Sequence, residues 1–376
     1  MMYDYLIVGA GFYGAVFAAE AVKAGKKVLV IDKRPHAGGN CRTEDRDGIT
    51  LHVYGPHIFH TSSKRVWDYV NKLAEFNNFV NSPLAVYNGE VYNLPFNMNT
   101  FSRLWGVREP KAAEEIIKAQ IAKENITAPS NLEEQALMLV GRDVYEKLIK
   151  GYTEKQWGTD CKNLPPSVIK RLPVRFTYDN NYFNDRYQGI PTGGYSRIFD
   201  KLLKGAEVRL NTDYFSDRAR FYSCAERIVF TGRIDEFYGF SLGRLAYRSL
   251  RFKTETLKTP NFQGNAVVNY TSAAVPYTRI VEHKHFEPWE RQNSAADADK
   301  TVITYEYPQK YGEGAEPFYP VPDNENTALY ERYRELSQKE DKVIFGGRLG
   351  QYRYSDMDKI IEQALIAGDR ELRKNV

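Results

Sequence analysis

Residues 6–40 read LIVGAGFYGAVFAAEAVKAGKKVLVIDKRPHAGGN, and this stretch decides the fold. An apolar run, Leu6 to Val8, enters the turn Gly9-Ala10-Gly11-Phe12-Tyr13-Gly14. A helix rich in small residues follows (Ala15, Ala18, Ala19, Ala21), and a second apolar run, Val28 to Ile31, ends on Asp32. The spacing predicts strand, glycine turn, helix and strand, with an acid at the second strand's tip. Gly9 permits the tight turn, Gly11 admits a pyrophosphate to the backbone, and Gly14 lets helix and strand pack closely. The helix N-terminus offers unpaired N–H groups to phosphate, and Asp32 stands where a carboxylate accepts ribose hydroxyls. The pattern predicts a dinucleotide site.

Working outward, Gly38-Gly39-Asn40 adds a second glycine turn six residues after Asp32. Flavoproteins of the glutathione-reductase type carry such a turn, which favours FAD over NAD. A strand at Arg227 to Phe230 runs into Thr231-Gly232, and a late one, Lys342 to Phe345, into Gly346-Gly347-Arg348. Glycines at strand ends leave room for a long cofactor.

The chain of 376 residues can hold two or three domains. Its 52 basic and 48 acidic residues leave a net charge of +4, which points away from nucleic acid and anionic membranes. Cys41, Cys161 and Cys224 are far apart and fit neither a disulfide frame nor a zinc spacing. A reducing, cytoplasmic location is expected. No apolar run reaches membrane-spanning length. Tyrosine is abundant, at 27 residues; the phenols suit edge packing or a cleft that stacks on a base.

Helices are expected over 63–74, 111–123, 143–149, 196–203 and 357–372, with a capping box at Ser130-Asn131-Leu132-Glu133. Alternating runs at 266–270, 278–282 and 301–307 suggest an antiparallel sheet. The expected class is α/β: a Rossmann-like FAD-binding domain built from discontinuous segments (1–80, 191–244, 340–376), a small helical insertion (81–150) and a twisted antiparallel sheet domain (151–190, 245–339). The last includes a polar stretch at about 165–180 that reads as a mobile lid.

Outside the cofactor motif, Gly55-Pro56-His57-Ile58-Phe59-His60-Thr61 places two histidines three apart without a carboxylate or cysteine nearby, so no metal is expected. Gly151-Tyr152-Thr153-Glu154-Lys155-Gln156-Trp157-Gly158 offers either core packing or a stacking surface. Arg171, Arg175 and Arg279 stand near proline and aromatic residues; surface pairing explains each singly, and together they could clamp a diphosphate. Neither a serine elbow nor a reactive-cysteine signature is present, which leaves the chemistry to the flavin.

Several long strings resemble the bacterial UDP-galactopyranose mutases: GPHIFHT (55–61), NSPLAVY (81–87), LPFNMNTF (94–101), LIKGYTEKQWG (148–158), RFTYDNNYF (175–183), DRYQGIPTGGY (185–195), NFQGNAVVNYT (261–271), VPYTRIVEHKHF (275–286), EYP (306–308) and KVIFGGRLGQYRYSDMD (342–358). They occur in the family's order over essentially the whole chain.

The resemblance implies reversible conversion of UDP-galactopyranose to UDP-galactofuranose, an isomerisation feeding cell-surface polysaccharide synthesis. N5 of reduced FAD would attack the anomeric carbon, and the reaction would pass through a flavin–sugar adduct and its iminium. It implies Arg171 and Arg279 on the pyrophosphate, Tyr152, Trp157 and Tyr182 beside the substrate, Asn81, Thr153 and Asn269 as hydrogen-bonders, and Tyr319 and Tyr354 at the phosphates. Glu306 and Asp356 would be acids near the sugar and flavin. Flavin contacts would come from Gly9, Gly11, Tyr13, Gly14, Asp32, Lys33, Gly39, Asn40, His57, His60, Arg348, Asp356, Met357 and Asp358. Arg171, Arg279, His60, Glu306 and Asp356 are the implied catalytic set. Where the family more usually has Glu, this chain has Asp32; either carboxylate reaches a ribose. A homodimer and an external flavin reductant are also implied. The rival readings are an FAD-dependent oxidoreductase of the amine-oxidase type and a non-catalytic nucleotide-sugar-binding flavoprotein.

Overall fold

A computed structural model describes residues 2–169, 172–288 and 299–373. A five-stranded parallel sheet forms its base, in the order Val343–Phe345, Ala225–Phe230, Tyr3–Val8, Val28–Ile31, Glu207–Arg209. The Val28–Ile31 strand is wholly buried, as expected where both faces of a parallel sheet are covered. On one face, helix Phe12–Lys23 packs against the closing helix Met357–Arg373 around Val16, Phe17, Ile361 and Leu365. The other face is filled by aromatic packing of Tyr214, Phe221, Phe230 and Phe237.

A second sheet has seven strands, ordered Tyr319–Pro320, Tyr247–Leu257, Thr301–Lys310, Arg279–Glu282, Val267–Tyr270, Leu84–Tyr87, Glu90–Asn93. It is antiparallel except where Val267–Tyr270 runs parallel to Leu84–Tyr87. These sheets bear out the mixed α/β class.

The helices of the insertion begin at Met98. Residues 84–93 form a hairpin that extends the second sheet. Asn88 (φ 49°) and Gly89 (φ 83°) make its two-residue turn, an Asn-Gly pairing that matches the twist of the strands. Helices Met98–Trp105, Pro110–Glu124 and Leu132–Val144 then pack around Phe101, Ile117, Leu137 and Val140. The cap before the third helix sits one residue later than expected. Asn131 accepts the Glu134 N–H (3.0 Å), and Glu134 reaches back to the Ser130 N–H (2.7 Å).

From Tyr145 to Lys150 the chain winds as a π-helix and runs directly into helix Gly151–Trp157. The wider turn leaves carbonyls for outside partners, and Thr271 Oγ1 donates to that of Lys147 (2.7 Å). Within the expected lid, the described part is tied to the helical block: the Arg175 N–H donates to the Phe96 carbonyl, and the Asn97 amide to that of Asp179.

Candidate active site

The parallel strands end together. Their register aligns Val8 with Ile31 and Phe230, and Phe230 with Phe345. Gly9, Asp32, Thr231 and Gly346 therefore meet along one edge. Gly9 adopts φ +104°, and a Cβ at Gly14 would run into the Gly9 carbonyl, so both turn positions need glycine. Helix Phe12–Lys23 starts at Gly11 with neither a side-chain cap nor an acid in its first turn. Its N–H groups are left for an anionic ligand. The second glycine turn docks on the first, the Gly38 N–H donating to the Ala10 carbonyl (2.9 Å).

Asp32 accepts the Ala10 N–H on Oδ2 (2.8 Å) and the Arg34 N–H on Oδ1 (2.9 Å). This fixes its carboxylate beside the glycine turn with lone pairs to spare for hydroxyls. Lys33 and Arg34 both pair with Glu316 (3.3 and 3.1 Å), and Arg34 also donates to Asn40 Oδ1 (3.0 Å). Tyr13 lies against Gly346, and burial pushes its hydroxyl up to about 12. Arg348 donates to the carbonyls of Phe318 and Ser355 (3.2 Å each) and lies over the rings of Tyr319 and Tyr354. Asp356 and Met357 stand where the closing helix begins, and Asp358 accepts the Thr61 hydroxyl (2.9 Å). An open helix terminus, a buried carboxylate and a long glycine-lined edge fit an extended dinucleotide such as FAD.

Across from this edge, one row crosses the second sheet. Asn269 is opposite Arg279, and Arg279 is opposite Glu306, so the three side chains share a face. Arg279 Nε stands 3.3 Å from Glu306 Oε1, and Nη2 donates to the Tyr152 hydroxyl (2.5 Å). The Glu306 contact is not aligned as a hydrogen bond, which leaves Nε, like the buried Asn269 Oδ1, without a hydrogen-bonding partner among the described residues. Buried groups of this kind ask for a ligand. Burial works against the Arg279 charge, but Glu306 and the Tyr152 and Tyr319 hydroxyls more than offset it. Burial raises Glu306 above the usual carboxylate range, with Arg279 pulling it back.

Tyr182, Tyr319 and Tyr354 all lie within the field of Arg279. The Tyr182 N–H donates to the Asn81 carbonyl (2.8 Å), joining two of the expected substrate residues. Thr153 is buried one residue from Tyr152, and Trp157 packs at the edge of the helical block. His57 donates from Nδ1 to the Gly55 carbonyl (2.9 Å), and burial draws it down to about 4, so its ring is neutral at pH 7 with Nε2 free to accept. Gly55 itself lies against Glu306.

The structure gives His60 and Arg175 partners of their own. His60 stacks on Phe183 (3.7 Å between centroids) and pairs through Nδ1 with Asp185 (2.6 Å). It thus anchors the segment carrying Tyr182. Arg175 spends its guanidinium on the Asn181 and Phe183 carbonyls, Asn184 and Asp179, so it orders its own loop rather than clamping a diphosphate. Arg171 lies outside the described residues. Among those described, no group of three histidine, cysteine or acidic side chains could hold a metal, and no helix is long and apolar enough to cross a membrane. Asp185, Glu316 and Arg34 escaped sequence reasoning because their partners are distant in the chain or are backbone groups.

Comparison with known proteins fits this geometry. Residues 7–73 match a family described as NAD(P)-binding Rossmann-like domain, and residues 147–354 match the family described as UDP-galactopyranose mutase. A probable UDP-galactopyranose mutase of Klebsiella pneumoniae is 41% identical, over 98% of this chain and 94% of that one. A dTDP-fucopyranose mutase of Escherichia coli is 37% identical, with both chains covered in full. The crystal structure of a reduced UDP-galactopyranose mutase superposes with a TM-score of 0.74 at 15% identity, covering 99% of this chain and 96% of that one, which shows the shared fold. Matched by the family's model over more than half its length and by relatives from end to end, the chain belongs to the UDP-galactopyranose mutase family.

Proposed function

We propose that the protein is an isomerase that interconverts UDP-galactopyranose and UDP-galactofuranose with the help of reduced FAD. The observation that carries this reading is the Asn269–Arg279–Glu306 row, two of whose buried groups have no partner among the described residues and whose Arg279 acts on Tyr319 and Tyr354 together with Arg348. Gly9, Gly11, Gly14 and Asp32 would hold the cofactor's phosphates and ribose, with Gly39, Asn40, Tyr13, Arg348 and the start of the closing helix along its length. Reduced flavin bound there would supply a nucleophile, its N5, for the anomeric carbon.

The chain's own groups do the rest. Arg279, joined by Arg171, binds the diphosphate and neutralises the charge that develops as UDP departs. Tyr319 and Tyr354 donate to the same phosphates, while Tyr182 and Trp157 hold the base and Asn81, Thr153 and Asn269 orient the sugar. Glu306, raised by burial, can hold a proton near the opening ring. Neutral His57 can accept one hydrogen bond beside it. Departed UDP stays clamped, so it can return once the ring has closed through the other hydroxyl. A homodimer, an external reductant and a cytoplasmic location complete the reading.

The full-length likeness to a dTDP-fucopyranose mutase supports a second reading, the same ring contraction on a dTDP-linked 6-deoxy sugar. Incubating dithionite-reduced protein separately with UDP-galactopyranose and dTDP-fucopyranose, and resolving products by chromatography, decides between them. Furanose from the UDP sugar at the higher kcat/KM supports the first reading. Preference for the dTDP sugar supports the second, and neither product removes both.

A further inference from the structure

Lys155 lies in helix Gly151–Trp157, one turn beyond Tyr152. Its Nζ donates to four main-chain carbonyls, those of Tyr270 (2.7 Å), Ser272 (3.0 Å), Val275 (3.0 Å) and Tyr277 (2.9 Å). An ammonium has three N–H groups, so one of the four bonds is shared. The oxygens come from the last residue of strand Val267–Tyr270 and from the turn that joins it to strand Arg279–Glu282. They converge as carbonyls converge on a dehydrated cation.

Other contacts fix the same turn on this helix and on the π-helix that leads into it. Thr271 Oγ1 donates to the Lys147 carbonyl (2.7 Å), and a Cβ at Gly151 would strike the Thr271 carbonyl. The helix is held in turn by Arg248, whose Nε donates to the Gln156 carbonyl (3.0 Å). Beyond the cage the chain has no slack. The Thr278 N–H donates to the Glu306 carbonyl (2.9 Å), and Arg279 follows at once, reaching back to Tyr152. Lys155 therefore closes a short circuit of helix, turn, strand and guanidinium. Burial draws the ammonium down to about 8, so it is protonated at pH 7 but held at a cost in solvation. A surface lysine would secure the turn without that cost.

We propose that Lys155 is a positioning residue: its ammonium gathers the 270–277 turn onto the helix and so sets the meeting of Arg279 with Tyr152 that grips the diphosphate. This rests on the reaction proposed above. The cage is a cation site whose resident happens to be a side chain, so a small free cation should substitute for it.

The test compares FAD-loaded wild-type protein with Lys155→Ala, using UDP affinity, kcat/KM of the reduced protein and thermal melting. Misplacing a binding group by about 1 Å costs on the order of 100-fold in rate, and a loss of that size in kcat/KM, with weaker UDP binding, is expected. Ammonium or potassium chloride should restore part of both in Lys155→Ala, whereas choline chloride at equal ionic strength should not. If the alanine variant fails to load FAD, Lys155→Met keeps the apolar stem and carries the test, with the same losses and no rescue. A loaded variant that melts lower yet binds UDP and turns over like wild type would overturn the inference. So would losses in the alanine variant that no small cation relieves. Wild-type protein that itself fails to turn over would sink the proposed reaction instead, leaving the UDP-affinity comparison to judge Lys155.

Discussion

Replacing Arg279 with alanine separates structure from chemistry at the centre of the site. Glu306 is 2% exposed, and Arg279 is the cation described beside it. Removing one partner of such a pair costs about 3–5 kcal/mol, because a charge stays buried alone. For 376 residues at about 2.1 cal/mol/K each, that lowers the melting temperature by roughly 4–6 °C. The deficit should depend on pH. Burial already raises Glu306, and without Arg279 it rises further, so the native state binds a proton that the unfolded chain has released. Stability then falls as pH climbs from the ordinary carboxylate range through the raised value, and the deficit shrinks on acidification. Turnover should fall by about 10²–10³ at every pH, the effect of deleting one charged donor to a departing group.

A double variant, Arg279→Ala with Glu306→Gln, leaves no buried charge and should regain most of the lost melting temperature without regaining turnover. Melting scans from pH 4 to 9 and initial rates of the reduced protein measure both arms. Turnover near the wild-type level in the single variant, or turnover returning with stability in the double variant, would refute the assignment.

Three further outcomes are expected. Asp32→Ala removes the acceptor of two backbone N–H groups beside the glycine turn; at about 1.5–3 kcal/mol for a hydrogen-bonded charge, FAD affinity should drop roughly 10–100-fold, read by flavin titration of apoprotein. Trp157→Ala should weaken UDP binding more than FAD binding, and equal UDP affinity would make Trp157 a packing residue. Although burial opposes the Asp185 charge, hydrogen bonds from Ser62 and His60 hold its carboxylate below the usual range, so the link it makes is present above that range and lost as pH falls through the lowered value. Asp185→Asn should therefore weaken UDP binding at neutral pH, where the wild type has the link, and leave FAD content unchanged.

The cofactor half is legible in sequence because its signals are local. One turn of residues 9–14 and one acid at 32 mark both the strand–helix–strand unit and the ligand class. In the substrate half the sequence offers the strands and Arg279 as a phosphate-binding candidate, but not their arrangement. Asn269, Arg279 and Glu306 become neighbours by strand pairing, and no spacing along the chain announces the row. The hairpin at 84–93 carries a readable mark in its Asn88-Gly89 pair. Lys155 left no mark at all, since its four partners are backbone carbonyls that any residue supplies. His60 has a partner that spacing could not announce either: Asp185 meets its Nδ1 from 125 residues away.

The most direct test of the central claim follows sugar and flavin together. Purified protein is incubated anaerobically with UDP-galactofuranose, with the flavin either oxidised or reduced by dithionite, while the flavin spectrum is recorded and products are separated. UDP-galactopyranose should form only with reduced flavin, with no net change in flavin oxidation state over many turnovers. Bleaching of oxidised flavin by the substrate, or UDP binding without isomerisation in either state, would contradict it.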